Sequence, residues 1–493
     1  MAAEPAAVLS LTEATADRAA ANAIARGVGE IVGKLASLVL FAALARRGAD
    51  ELGVFVFAFA WTQVATTPGE LGFDRYLLRK VAEDRGNIHA LFYEIVRTKA
   101  LRSVPVAVVS FVLIWALGYG AQTRDTIYLL TVGLIIDAIS RSLFMVFIGI
   151  ERLTMMAVTL VIQRVSAALL GIGALLLGYG TVAVGLTYAI GAALGLAFAL
   201  VAMARTIGIE RRRVPPAERR AVRRASRPYA AQDIVGILLA KVDTVLLSFL
   251  ASSAAVGRYG AAYRLLESTF FLTFAVTGGF SAMFTYLAPD SEPTIAAVYQ
   301  RALKLVVVLL VPCAVALFVL AEPLSRAFFG AALVDAAKPL ALLAPVILLL
   351  GIIQVAMMLV TGRRDATVVV RITAVAVTAN IVLNLILIPV LRETGAALAM
   401  LLTAIGFAGA LTVSVHETIG PIKWLSVLAS PLIAGAAMVL PTLALRSSLP
   451  AAAVVGTAVY VAVLIGVELA HDPAEVRFLA SMLRRRLPVR RAR

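Results

Sequence analysis

The sequence predicts an all-α polytopic membrane protein of about fourteen transmembrane helices. Three observations carry this. The 493 residues are 61% hydrophobic and 15% charged, whereas a soluble domain carries about 25% charged and about 45–50% apolar residues. Apolar runs of the ~20 residues that cross about 30 Å of hydrocarbon recur along the chain. The basic residues collect on alternate loops, the pattern that orients a chain in a membrane.

In order, the spans fall at 28–45, 52–71, 103–119, 126–147, 156–178, 182–204, 229–250, 257–287, 303–321, 339–361, 366–389, 395–415, 424–444 and 450–470. The run at 257–287 is long enough to tilt or to extend past the bilayer. The first 22 residues hold Glu4, Glu13, Asp17 and Arg18 in place of a basic start, an apolar stretch and a cleavage site. The first apolar helix is therefore expected to be retained. With the N-terminus inside, the inner loops and termini hold 32 of the 45 Lys and Arg, chiefly in 73–102, 205–227, 362–371 and 477–493. The outer loops hold 8, and five lie within spans: Lys34, Arg141, Arg164, Lys241 and Arg264. This asymmetry places both termini in the cytoplasm for an even number of spans. It also argues against nucleic acid as the partner of the +16 net charge. The arginine clusters are juxtamembrane, where they set topology and meet anionic lipid headgroups.

The stretch 205–227 contains Pro215, Pro216 and nine arginines and separates six spans from eight. Six is even, so the second set restarts in the same orientation. "ADELGVFVFA" (49–58) lies over "SAAVGRYGAA" (253–262), with Gly53 on Gly257 and Phe55 on Tyr259; "GIERLT" (149–154) lies over "GRRDAT" (362–367). Two parallel six-helix repeats follow, with two additional C-terminal helices. The expected division is an N-terminal six-helix bundle at 1–204, a basic cytoplasmic linker at 205–228, a C-terminal six-helix bundle at 229–416, two additional helices at 417–470 and a basic cytoplasmic tail at 471–493.

Catalytic and metal motifs fail. "GVGEIVGKL" (27–35) has Val28 where a phosphate-binding loop needs glycine and Leu35 where it needs Ser or Thr. Gly29 and Gly33 read better as a small-residue helix contact. There is no HExxH or GxSxG, and His89, His416 and His471 are assigned to loops. Cys313 has no cysteine partner and reads as a packed helix residue. No metal site and no cofactor are expected.

What remains is a set of polar groups within the spans, where such groups usually face a protein interior or a watery cavity. Asp137 and Arg141 are four apart in span four and share a face; an intrahelical ion pair is the simple structural reading. Asn380 and Asn384, four apart in span eleven, read as interhelical hydrogen-bonding groups. Arg164 is read as snorkelling from a helix end. Lys34 stands in span one, and Asp233, Lys241 and Asp243 in span seven. Arg264 and Glu267 lie one turn apart in span eight. At 1.5 Å per residue, Arg264 is about 10 Å into the membrane and Glu267 near the midplane. Two charges at that depth need each other or a cavity.

These stretches resemble the polysaccharide transporter flippases, which move lipid-linked oligosaccharides across bacterial inner membranes. That family is grouped with the lipid II flippases and the multidrug and toxin extruders in the MOP superfamily. The carrying stretches are "LARRGADELGVFVFAFA" (44–60) with "GELGFDRYLLRKVA" (69–82), "KVDTVLLSFLASSAAVGRYGAAYRLLE" (241–267) and "NIVLNLILIPVLRETGAALAM" (380–400). The resemblance implies two six-helix bundles around a central cavity that opens alternately to each side, with cations holding a lipid pyrophosphate. It puts Arg264 at a cavity arginine of lipid II flippases and a span-one cation near Lys34; Lys241 joins them as a third pyrophosphate candidate. Thr66 and Thr67 stand where those flippases carry a further cation, which disfavours lipid II as the substrate. Glu267, Asp243 and Asp137 are the acidic or ion-coupling candidates; Arg141, Asn380 and Asn384 are structural polar residues. Coupling to a sodium or proton gradient stays open. The implied partners are the lipid-linked oligosaccharide, anionic lipids at the basic loops, and a polysaccharide polymerase with its export machinery.

Two rivals stand beside this. A cation-coupled multidrug exporter of the same fold would favour acidic and aromatic cavity residues, whereas basic ones predominate here. A membrane glycan polymerase or ligase would need sizeable outer loops, and the longest, 321–339, has only Glu322, Arg326, Asp335 and Lys338 as charges.

Overall fold

The computed structural model describes residues 4–70, 72–83, 88–208, 210, 214–270, 272, 292–363 and 366–471. Among the described residues the regular elements are all helical. They are α1 (Glu4–Ala45), α2 (Ala49–Glu70), α3 (Phe73–Glu83), α4 (Ile88–Ala116), α5 (Ala121–Gly149), α6 (Leu153–Leu176), α7 (Thr181–Thr206), α8 (Pro216–Leu250), α9 (Ser253–Glu267), α10 (Glu292–Val319), α11 (Ala321–Phe329), α12 (Ala337–Arg363), α13 (Ala366–Ile419), α14 (Trp424–Ala444) and α15 (Leu449–His471), with a 3-10 turn at Ala331–Ala336.

Among the described residues ten helices are long and apolar enough to cross a membrane, and one of them, Thr367–Ile419, holds two of the expected spans. The remaining three expected spans fall on α2, α8 and α9. The eighth, 257–287, lies largely outside the described residues, as does the tail beyond His471. Large apolar side chains such as Leu101, Val108, Val112 and Trp115 on α4 are exposed. Lipid, not water, is the solvent that tolerates them. The chain is a multi-pass membrane protein.

Several boundaries differ from the sequence reading. α4 starts at Ile88, well before 103. Its buried face runs Leu91, Ile95, Lys99, Ser103, Ala107, Ser110 and Ile114, an unbroken helical spacing through the segment read as loop. Within that same segment α3 is amphipathic. Phe73, Leu77 and Val81 are buried against Ile88, Leu91, Ile95 and Val222, while Arg79 and Lys80 reach outward to Glu83 at 2.8 and 2.7 Å. α8 starts at Pro216, whose missing N–H costs nothing at a helix start. The basic stretch 205–228 is thus in part the first turns of span seven. His89 lies in α4, and His416 and His471 lie in the last turns of α13 and α15.

α13 is continuous apart from one break. Arg392 takes φ 51° and ψ −128°, a conformation costly for a side chain. Pro389, just before it, also disrupts the helical hydrogen bonding. The break falls between the two expected spans.

The chain forms two compact units: Met1–Gly260 with Ile381–Glu393, and Ala261–Asn380 with Thr394–Arg493. In the first, α7 packs on α5 and α6, α1 on α6, and α2 on α8 and α5. Gly29 faces Ala157 of α6 so closely that an added Cβ would lie 2.8 Å from its Cβ, the helix contact expected of this glycine. The crossing of α2 and α9 is tighter. A Cβ on Gly53 would collide with the carbonyl oxygen of Ser253, and one on Gly257 with that of Ala49. The two glycines matched by the repeat meet each other. In the second unit α10 packs on α12 and α14, and α14 on α15. Lys304 of α10 donates to Glu468 of α15 at 2.9 Å, Ser430 of α14 donates to the same carboxylate, and Tyr460 donates to the Val308 carbonyl at 2.8 Å.

Candidate functional site

In the first unit the charges form a balanced network spanning α2 to α7. Arg141 donates to Asp137 one turn earlier on α5 and to Glu70 at the end of α2, at 2.6 Å. Gln163 of α6 donates to the other Asp137 oxygen at 2.5 Å. Arg164, beside it, lies 5.7 Å from the Tyr188 ring centre on α7, within cation–π range. It is mid-helix, so it stacks within the unit and does not snorkel from a helix end. Nearby, Lys99 donates to Asp74 of α3 at 2.7 Å, to the Ala138 carbonyl at 3.0 Å and to Ser142 at 2.9 Å. Three carboxylates, Glu70, Asp74 and Asp137, face three cations, Lys99, Arg141 and Arg164. Asp137 is 4% and Lys99 1% exposed. Groups so desolvated persist only when paired and hydrogen-bonded.

α8 and α9 hold a second group in this unit. Asp243 is 1% exposed. One of its oxygens accepts from the Thr244 N–H at 2.6 Å and the Thr244 hydroxyl at 3.2 Å. The other accepts from the hydroxyl of buried Tyr259. These three donors are neutral, and the positive charge of Lys241 acts on the carboxylate through its field. The next α9 residue, Arg258, pairs with Glu393 just past the α13 break. Lys34 is half-buried on α1, as is Lys241 on α8. Asp233 is 3.2 Å from Arg75 of α3.

In the second unit Arg264 and Glu267 form the pair expected from their spacing, at 2.9 Å, with 27% and 36% of their side chains exposed. Asn380, fully buried, donates to Thr403 at 3.1 Å. Asn384, in the first unit, is also fully buried. Outside the spans, hydrogen bonds from Lys80 and Arg79 hold the Glu83 carboxyl below the usual carboxylate range.

Sequence reasoning missed Asp74 and Lys99 because it placed 73–102 in a loop, and it passed over Glu70 at the very end of span two. It also missed Tyr259 as partner of Asp243, and Lys304 with Glu468. The signal for Lys99 was its place on the helical face from Leu91 to Ile114.

Residues 19–277 match the family model described as "Polysaccharide biosynthesis protein". The chain belongs to the polysaccharide biosynthesis protein family. No curated protein matches it in sequence. Among solved structures, the family member is similar to a lipid II flippase, MurJ, in an inward closed conformation, at TM-score 0.74 and 14% identity, covering 91% of this chain and 98% of that one. It is similar to a multidrug resistance MATE family transporter of the MOP superfamily, inward-facing, at TM-score 0.61 and 14% identity, covering 79% and 96%. It is also similar to a Vibrio cholerae MATE transporter at TM-score 0.56 and 13% identity, covering 81% and 98%. The family member therefore has the fold of these flippases and transporters.

Proposed function

We propose that this protein is a flippase. It moves a polyprenyl-pyrophosphate-linked oligosaccharide across the bacterial inner membrane by alternating access, for export of exopolysaccharide, O-antigen or capsule. The family match over residues 19–277 carries this reading, and the fold likeness to a lipid II flippase supports it. A charged pyrophosphate with a polar glycan does not cross hydrocarbon unaided. Moving it requires a hydrated path with cations on offer, and no bond need form or break.

In this reading Arg264 presents its planar fork to the pyrophosphate, and Glu267 holds that fork between substrates. Partial exposure of the pair supports this. Arg141 and Lys99, by contrast, are already engaged by carboxylates. Lys34 and Lys241 add positive charge. Asp243 is the ion-coupling position, a buried carboxylate held by Thr244 and Tyr259 and lying in the field of Lys241. Asp137, with one oxygen on Arg141 and the other on Gln163, holds helices together. The protein sits in the inner membrane with both termini in the cytoplasm.

Fold likeness to multidrug transporters supports a second reading, a cation-coupled exporter. Deletion of the gene separates the two. The flippase reading expects lipid-linked oligosaccharide to accumulate unlabelled by an impermeant glycan reagent in intact spheroplasts, and to become labelled on lysis. Normal labelling of the intermediate in intact spheroplasts overturns it.

A further inference from the structure

A cavity of about 440 Å³ lies between α2 and α4, lined by Trp61, Val64, Pro68, Pro105, Val109 and Leu113 among others. It falls within the ~300–1,000 Å³ range of ligand pockets. The polar atoms at its wall are satisfied internally: Trp61 donates its ring N–H to Ser110 at 2.9 Å. The interior is therefore apolar, and its outer lip, formed by Val109 and Leu113, is exposed.

The charges at one end of this cavity are unusual. Arg102 is on the same face of α4, one turn before Pro105 and Val106 and two before Val109. Nearby, Glu94 takes up both Arg97 and Arg219, at 3.8 and 3.9 Å. Among the described residues Arg102 makes no ion pair. The charged group whose field reaches it is Arg223, one turn beyond Arg219 on the same face of α8. Arg102 thus stands half-buried one turn from the cavity's Pro105 and Val106, and Arg223 lies one turn along α8 from Arg219, which meets α4 at Glu94. Arginine forks bind phosphate oxygens in pairs. This need for a counter-ion is permanent, whether or not a substrate is present. The bilayer's own anionic lipid is always at hand to meet it.

We propose that this groove is a resident site for one anionic phospholipid, its phosphate held by Arg102 and Arg223 and an acyl chain laid against Trp61, Pro68, Pro105 and Val109. The site is distinct from Arg264 and its test does not involve transport, so its failure leaves the flippase reading untouched.

Trp61 is a built-in reporter. With Trp115→Phe and Trp424→Phe it is the sole tryptophan. The protein is placed in nanodiscs with acyl-brominated phosphatidylglycerol or acyl-brominated phosphatidylcholine at the same low mole fraction. Phosphatidylglycerol should quench Trp61 several-fold more than phosphatidylcholine. The excess should vanish in Arg102→Gln with Arg223→Gln, persist in Arg102→Lys, and fall in Val109→Phe, which fills the groove and leaves the arginines. Helical circular dichroism and monodisperse elution confirm that each variant is folded. Equal quenching by the two lipids, or an excess that survives the double substitution, overturns the proposal. Recovery of fluorescence on adding a polyprenyl phosphate overturns the choice of phospholipid and gives the groove to the carrier lipid.

Discussion

Lys99 illustrates how a charge becomes part of a membrane protein's interior. It is 1% exposed and donates to three acceptors. Lys99→Met should leave Asp74 desolvated without its cation, at a cost of about 3–5 kcal/mol. In detergent the variant should melt well below the parent. Adding Asp74→Asn should recover part of the loss, and an unchanged melting temperature for Lys99→Met would remove the ion pair from the account. Arg264 and Glu267 call for a functional readout. Arg264→Gln with Glu267→Gln removes both charges and keeps hydrogen-bonding groups. The double variant should reach the membrane in normal amounts and fail to transport, while Arg264→Lys, which keeps charge without the fork, should retain partial activity. Wild-type transport by the well-folded double variant would make the pair purely structural.

At the scale of elements, the crossing of α2 and α9 rests on two glycines. Gly53→Ala or Gly257→Ala puts a methyl into a neighbouring carbonyl oxygen, so the helices must part at this seam. In a Cys313→Ala background, a cysteine placed at Ala254 should react faster with a maleimide when Gly53→Ala is present. Equal rates would show that the seam absorbs the methyl without opening. This pairing was half legible in the sequence: the repeat placed Gly53 over Gly257 but gave no sign that the equivalents touch. The spans themselves were legible because hydropathy is a property of composition over some twenty residues. The starts of α4 and α8 were not. A run such as Arg97, Lys99 and Arg102 reads as loop to a hydropathy ruler, although the apolar and small residues around it keep helical spacing from Leu91 to Ile114. The Arg141–Asp137 pair was legible from its spacing of four. Its partners Glu70 and Gln163 were not, because nothing in a one-dimensional pattern states which helices adjoin.

For the whole molecule, the distribution of arginines predicts orientation. Periplasm-dependent phosphatase fused after Tyr119 should be active. Fusions after Arg213 and Arg490, both outside the described residues, should be inactive; the reverse pattern would invert the map. Family and fold were legible from a few loose stretches in the right order, and the match over residues 19–277 bears this out. What is transported is a matter of cavity chemistry, on which the likeness to flippases and exporters alike is silent. The most direct measurement is reconstitution. Purified protein in liposomes loaded with a polyprenyl-pyrophosphate oligosaccharide, with an ion gradient imposed, should expose the inner-leaflet glycan to an impermeant lectin faster than protein-free liposomes do. Exposure no faster than in protein-free liposomes, together with gradient-driven movement of a cationic dye, would contradict the flippase account and establish the exporter.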